Sequence, residues 1–294
     1  MKNKIKKQFP KIFCIIKKIR AFFWARLPLE YVLKKKWYKE FNSNLNLKSP
    51  ITYNEKLQFL KLDIQRNSLA NQYVDKLESR KLVEKEIGIK YLTELIAVFN
   101  NFNEIDFDQL PRDYVLKSTH DSGSVLIVKD NKVDNKTIDI IKCNMDINYA
   151  NYSQEWVYDN IKPKIIVEKF LKSDDGKDLK DYKIFCFNGK AKLIQVDIDR
   201  FEGHKRNFYD LDWNKLDLEI KFSSSNQIDK KPKLLDEMIN LSNILSRNFK
   251  HVRVDWYISN YKLIFGEMTF FHGGGSEKFN SLEWENKMGD WIIL

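Results

Sequence analysis

Residues Val252–Gly275 read VRVDWYISNYKLIFGEMTFFHGGG. Apolar positions recur with a period of two on both sides of SNY, so the stretch predicts a β-hairpin. Arg253, Asp255 and Glu267 nevertheless fall inside the strands, where an unpartnered charge is costly to bury. Val252, Val254, Trp256 and Ile258 share one face of the first strand, and Arg253, Asp255 and Tyr257 the other; Glu267 and Thr269 share a face of the second. An odd-numbered connection, Ser259-Asn260-Tyr261, puts the two polar sets on one sheet face. Arg253 then opposes Glu267, with Asp255 diagonal to it. Two carboxylates on one face suit a hard cation such as Mg²⁺, which takes oxygen ligands at about 2.0–2.1 Å. A buried Arg–Glu pair with no metal is the competing explanation. An even-numbered connection without a bulge would put the carboxylates on opposite faces.

The bulk composition narrows the class. The chain has 294 residues, 43% hydrophobic and 14% aromatic, which is enough for a packed core. Three scattered cysteines (Cys14, Cys143, Cys186) show neither a disulfide framework nor CxxC spacing, which fits a reducing, cytoplasmic setting. The four histidines have no zinc-ligand spacing. The net charge of +10 resides in residues 1–36, which hold twelve Lys/Arg and one acid; the remainder has 39 basic and 40 acidic residues. A basic groove for nucleic acid is therefore not expected. Within this first segment Ile12, Ile15, Ile16, Ile19, Phe22 and Phe23 recur at helical spacing. Charge interrupts it too often to span a bilayer, and no small-residue cleavage site follows. Two readings stay open: an in-plane helix giving peripheral membrane contact, and an ordinary basic helix packed on the body.

Along the body, SPITYNEKLQFLKLDI and SLANQYVDKLESRKLVEKEIG predict helices, the first opened by Ser49-Pro50 and by Thr52 with Glu55 and the second stopped by Gly88. On the second, Lys76 and Arg80 share a helix face. YLTELIAVF (91–99) predicts a strand, and DYVLKSTHDSGSVLIVKD a strand, a small polar loop and a strand. A helical stretch over about 135–159 precedes the strand KIIVEKFL. DYKIFCFNGKAKLIQVDIDR is a hairpin turning at Asn188-Gly189, and a helix is expected over about 233–248. FSSSNQIDKKPK (222–233) has the composition of a mobile loop. The fold class is α+β. The expected organisation is a basic segment (1–40), a helical, substrate-associated region (41–110) and a main domain (111–294), with subdomains at about 111–170 and 171–294.

These pieces, taken in order, resemble ATP-grasp enzymes: VDKLESR (74–80), YVLKSTHDSGS (114–124), VEKFL (167–171), FYDLDWNK (208–215), then VRVD…FGEMT. D-alanine–D-alanine ligase-like proteins carry similar elements in the same order. PITYNEKLQFLKL, LPRDYVLKSTHDSGS, DYKIFCFNGK and the terminal VRVDWY…FGEMTFFHGGG resemble the TupA-like branch, found with capsule and cell-surface polysaccharide genes. The resemblance implies an ATP-grasp fold, two α+β subdomains sandwiching ATP, and ATP and Mg²⁺ as cofactors. It assigns Lys76 and Lys117 to the phosphates under the Ser118–Ser124 loop, with Ser122, Gly123 and Ser124 at the nucleotide. Glu168, Lys169, Phe170 and Leu171 form the hinge that reads adenine, and Asp181 reaches the ribose. Lys183 points to the phosphates, and Lys215 joins the cofactor set. Asp255, Glu267 and Thr269 are the metal positions, and Arg253, Lys183 and Arg200 the catalytic ones. Thr269 stands where D-alanine–D-alanine ligase-like enzymes carry Asn. Lys215 lies one place from its counterpart, and the Gly/Ser loop is shorter and poorer in glycine.

The implied activity is carboxylate–amine ligation through an acyl phosphate. An amino acid or amine would join a uronic-acid-type sugar of a surface polysaccharide at the cytoplasmic face of the membrane. The His272–Ser276 turn is the candidate acceptor contact. A glycosyltransferase using a metal–nucleotide-sugar is the alternative, against which stand the absence of a DxD triplet used to bind a metal–diphosphate and the absence of a recognisable doubly wound nucleotide-sugar domain. A non-catalytic nucleotide-binding protein is the third reading.

Overall fold

Pro10 has no amide hydrogen to lose, which suits a first helical turn, and it opens α1 (Pro10–Trp24). The computed structural model describes residues 9–63, 67–174, 176, 179–198 and 203–294. After α2 (Leu29–Phe41), Thr52 and Glu55 form a reciprocal capping box at the head of α3 (Tyr53–Lys61). The single helix expected from Ser68 to Gly88 is two, α4 (Ser68–Val74) and α5 (Glu78–Ile87). Asp75 divides them, because its Oδ1 accepts from the Leu77 and Glu78 amides (2.9 and 3.3 Å) and starts a new helix. Lys76 therefore sits in the break and does not share a helix face with Arg80. Gly88, at φ 108°, stops α5. The next residues form a 3-10 turn (Ile89–Tyr91), and strand begins only at β1 (Leu95–Phe99).

The chain divides into two compact units. The first comprises Met1–Leu33, Gln65–Lys81 and Thr93–Phe170. Its sheet contains β1, β2 (Tyr114–Ser118), β3 (Val125–Val128) and β4 (Ile165–Lys169) in the antiparallel order β1-β4-β2-β3. Alternation puts Tyr114, Leu116, Leu126, Val128, Ile165 and Val167 into a core covered by Ile138 and Ile141 of α6 (Asn135–Met145). The other face carries Val115, Lys117, Ile127 and Glu168, with Val115 directly opposite Glu168. The helical stretch expected over 135–159 is α6, α7 (Tyr149–Ser153) and a 3-10 turn (Trp156–Tyr158), α7 being capped by Asn148.

The second unit comprises Lys34–Ile64, Leu82–Leu92 and Leu171–Leu294. It is built on five antiparallel strands: β5 (Asp181–Phe187), β6 (Lys190–Ile198), β7 (Lys205–Tyr209), β8 (His251–Ser259) and β9 (Lys262–Thr269). Their order is β7-β6-β5-β8-β9. Asn188-Gly189 forms the expected two-residue turn between β5 and β6, with both residues at positive φ. Against one sheet face packs α8 (Leu235–Ser246), whose Ser242 Oγ accepts from Trp256 Nε1 (2.8 Å). The opposite face is apolar at one end, where Phe185, Phe187, Leu193 and Phe208 meet Tyr53 and Leu57 of α3 and Met288 of α9 (Leu282–Asp290). Farther along the same face the residues become charged. Residues 222–233, expected as a mobile loop, are pinned to β7. Asn207 bonds the Ser225 amide and the Gln227 carbonyl (2.9 and 2.8 Å), and buried Asp229 accepts from Tyr209 (3.0 Å).

Candidate active site

The terminal hairpin turns on two residues, Asn260 and Tyr261, both at positive φ (51° and 56°), and Ser259 pairs with Lys262. This even-numbered turn replaces the odd one expected from the sequence and would by itself have separated the carboxylates. A bulge at Gly266 restores them to one face. Trp256 pairs with Phe265, but Asp255 pairs with Glu267 and Arg253 with Thr269. Glu267 thus faces Asp255 directly, and Arg253 opposes Thr269 rather than Glu267. Only glycine fits the bulge: a Cβ on Gly266 would lie 2.9 Å from Tyr257 Cε2 and 3.0 Å from the Asp255 carbonyl oxygen.

Side by side across the sheet run Gln195, Lys183, Asp255 and Glu267, with Arg206, Asp197 and Asp181 in the next row. Arg253 grips Asp255 with both ends of its fork, Nε to Oδ1 at 2.6 Å and Nη2 to Oδ2 at 2.7 Å. The same Nη2 reaches Thr269 Oγ1 (3.1 Å) and lies 3.6 Å from Glu267 Oε1. Lys183 Nζ donates to Asp255 Oδ2 (2.8 Å) and to Asp181. Asp197 accepts from Arg206 Nε and Gln195 Nε2, each at 3.0 Å. Arg206 continues to Glu277 (3.0 Å), which also meets Lys221 (2.7 Å) and His272 Nε2 (3.1 Å).

Burial by itself would raise the Asp255 pKa, but Arg253 and Lys183 outweigh it and hold the carboxyl below its ordinary range. Burial likewise opposes the charge on Arg253, and Asp255 more than compensates, so the guanidinium stays protonated. Arg206 and Lys183 overcome the burial of Asp197 and draw it down to about 2. Burial, then the nearby cations Arg253 and Arg206, push His272 well below its ordinary value and keep it neutral.

The first unit carries a second charged cluster. Glu168 on β4 accepts from Lys117 (2.6 Å) and from Arg80 (2.7 Å), so its carboxylate is held between two cations. The Ser118–Ser124 loop is anchored. Thr119 N–H donates to the Lys164 carbonyl (2.9 Å), His120 bonds Ser118 Oγ (2.7 Å), and Asn144 Nδ2 donates to Ser124 Oγ (2.6 Å). Ser122 and Gly123 form its exposed tip. Lys76 reaches this loop, its amide donating to the Thr119 carbonyl (3.2 Å) and its Nζ to the Asp121 carbonyl.

A model of the TupA-like ATP-grasp family matches residues 55–293. The chain belongs to the TupA-like ATP-grasp family. Its fold is the α+β ATP-grasp fold. No curated protein matches the chain. Among solved structures, the chain is similar to a D-alanine–D-alanine ligase from Bacillus anthracis complexed with ATP (18% identity, TM-score 0.43, 75% of this chain and 63% of that one). It is also similar to a D-alanine–D-alanine ligase from Helicobacter pylori (11%, 0.41, 76% and 59%). A third is an L-amino acid ligase from Bacillus licheniformis (12%, 0.42, 83% and 55%). The chain thus spans less than two thirds of the length of each of these three.

In this TupA-like ATP-grasp protein the sheet gathers Lys183, Asp181, Arg253, Asp255, Glu267 and Thr269 of the expected residues into one cluster, and Lys76, Lys117 and Glu168 lie in the first unit. Lys169 is exposed and pairs with Glu94 (3.0 Å), and Phe170 lies under Lys129. The chain passes from the first unit to the second at Leu171. Lys215 Nζ donates to the Ser225 carbonyl. Arg200 lies outside the described residues. The His272-Gly-Gly-Gly turn is tied to α3, with Gln58 Nε2 donating to the carbonyls of Gly274 and Gly275 (2.9 and 2.6 Å). An open cavity of about 410 Å³ in the first unit is lined by Asn71, Asp75, Glu78, Trp156 and Lys162, not by Lys117 or Glu168. Sequence reading missed Arg80's grip on Glu168, and it missed Gln195, Asp197, Arg206 and Glu277. The alternation of Gln195 and Asp197 within QVDID was the available signal.

Among the described residues no group of three or more His, Cys, Asp or Glu gathers as a metal cage. Asp255 and Glu267 form an all-oxygen pair instead. Mg²⁺ is ordinarily held by one or two carboxylates together with substrate phosphates and water. Glu267, its side chain 44% exposed, is the open member of the pair. Asp255, whose two oxygens are held by Arg253 and Lys183, would have to release one of them to an ion arriving with a nucleotide.

Proposed function

We propose that the chain is an ATP-dependent carboxylate–amine ligase. The observation that carries this reading is the bulged hairpin. It sets Asp255 against Glu267 on a sheet face beside Lys183 and a protonated Arg253. Asp255 and Glu267 would hold Mg²⁺, which when bound neutralises charge on the transferring phosphoryl group. Lys183 and Arg253 add fixed positive charge where the anionic oxygens develop, without reorganising during the step. In the first unit, Lys117, Lys76 and the amides at the Ser122-Gly123 tip offer donors to nucleotide phosphates.

The reaction needs no protein nucleophile. A substrate carboxylate oxygen attacks the γ-phosphorus, the bond to ADP breaks, and an acyl phosphate forms. The amine nitrogen then attacks the acyl carbon and the carbon–phosphate oxygen bond breaks. Phosphate leaves with the surplus proton, and an amide remains. The protein's part is positioning and charge neutralisation. For substrates we assign an amino acid or simple amine and a uronic-acid-type sugar of a surface polysaccharide or its precursor. Action is placed at the cytoplasmic face of the membrane. This finer assignment is supported by the family likeness and the basic first segment. The test is binding of ATP·Mg²⁺ against a UDP-sugar, followed by ADP release with panels of uronic acids and amines. Preference for the UDP-sugar would overturn the ligase reading in favour of glycosyl transfer.

A further inference from the structure

The stripe of Ile12, Ile15, Ile16, Ile19, Phe22 and Phe23 does not face the body. Each of these side chains is 43–59% exposed. The inward face of α1 is instead Cys14, Lys17 and Ala21, packed on Cys143 and Ile147 beside Tyr152. Lys17 is buried, donates to Asn144 Oδ1 (2.6 Å) and lies over the Tyr152 ring (4.6 Å). A helix of a globular protein ordinarily shows the reverse, apolar in and basic out. At 100° per residue the six apolar positions span about 120° of the helix. Lys11 and Lys18 border this sector on one side, Lys18 paired with Asp146 (2.8 Å), and Arg20 borders it on the other. Arg26, just past the end of α1, lies over the Phe22 ring and donates to the Phe22 carbonyl (2.8 Å). No acidic residue occurs in α1.

We infer that this outward face of α1 lies in the plane of an anionic lipid bilayer, its isoleucines and phenylalanines among the acyl chains and its basic borders at the headgroups. An apolar stripe between two basic borders is the pattern of an interfacial helix, whose long cationic side chains reach the headgroups while their stems stay apolar. None of the described helices is long and apolar enough to cross a membrane. A second copy is the poorer occupant, because stacking two such faces brings the like-charged Lys11 and Arg20 borders together, and Asp146, the acid beside Lys18, is already paired with it. The inference deepens the placement at the membrane given above and does not depend on the chemistry assigned to the site.

The test is co-sedimentation of the full chain with phosphatidylglycerol/phosphatidylcholine vesicles and with pure phosphatidylcholine vesicles, comparing wild type with Ile15→Asp/Ile19→Asp. Both positions are exposed, so circular dichroism and lipid-free ADP release should stay at wild-type values. The expected result is binding to anionic vesicles only, weakened about a hundredfold by the double substitution. Lys11→Ala and Arg20→Ala should each weaken it roughly fivefold. Equal binding by wild type and double variant, or equal binding to both vesicle types, would overturn the inference. A lipid-free dimer that the double substitution dissociates would overturn it too, assigning the face to a second copy. Absence of ADP release by the wild type, with its vesicle binding observed, would count against the ligase reading alone.

Discussion

Arg253→Met keeps an apolar stem of similar length and removes the guanidinium that holds both oxygens of Asp255 at 2.6 and 2.7 Å. Asp255 is 2% exposed, so water does not replace the lost cation. Breaking a buried pair by removing one partner costs about 3–5 kcal/mol. Lys183 remains 2.8 Å from Oδ2, which places the cost at the low end, about 3 kcal/mol. That is a large share of the roughly 5–15 kcal/mol that holds a domain folded. At about 2–4 °C per kcal/mol, the melting temperature should fall by about 6–12 °C in scanning calorimetry. The deficit should be smaller at pH 5 than at pH 8, because an Asp255 that has lost its main cation takes up a proton more readily. Adding Asp255→Leu removes the stranded carboxylate and should recover most of the loss, since replacing both partners by apolar groups is often neutral. A single variant melting within about 2 °C of wild type, or a double variant no more stable than the single, would refute this reasoning.

Gly266→Ala sets a methyl group against the Tyr257 ring and the Asp255 carbonyl. It should cost about 1–3 kcal/mol and lower ATP turnover by turning Glu267 away from Asp255; unchanged melting and turnover would show that the bulge does not set the register. Asp197 has its folded pKa depressed to about 2, so its contribution is fully present above its unfolded value near pH 4 and lost as pH falls through about 2. That contribution is on the order of 2 kcal/mol. Asp197→Asn should therefore flatten the stability curve between about pH 4 and 2, and parallel acid-unfolding curves would contradict the assignment.

How much of this was legible depended on the range of the interaction. Period-two alternation is local, so the strands of the terminal hairpin and the polar face bearing Arg253 and Asp255 could be read directly. The Thr52–Glu55 cap and the Asn188-Gly189 turn are also local. Register is not: the even turn at Asn260-Tyr261 and the bulge at Gly266 each shift the pairing by one. Only together do they leave Glu267 on the face with Asp255. The break at Asp75 was hidden because helical periodicity continues through it, while a carboxylate capping two amides overrides the pattern. Arg206, Asp197 and Glu277 meet through strand pairing and a loop far along the chain, which spacing does not encode. The orientation of α1 was undetermined for a different reason. A stripe predicts that one face is distinct, but not whether the body takes it, and here the body takes Lys17.

Asp255 and Glu267 are proposed to receive a magnesium nucleotide. Calorimetric titration of the full chain with ATP, with and without Mg²⁺, in wild type and Glu267→Gln, tests this most directly. Glu267 has a side chain 44% exposed, so the substitution should leave melting unchanged. Mg²⁺ should tighten ATP binding to wild type, and Glu267→Gln should remove most of this enhancement. Equal enhancement in both proteins, or no ATP binding by wild type with Mg²⁺ present, would contradict the proposal.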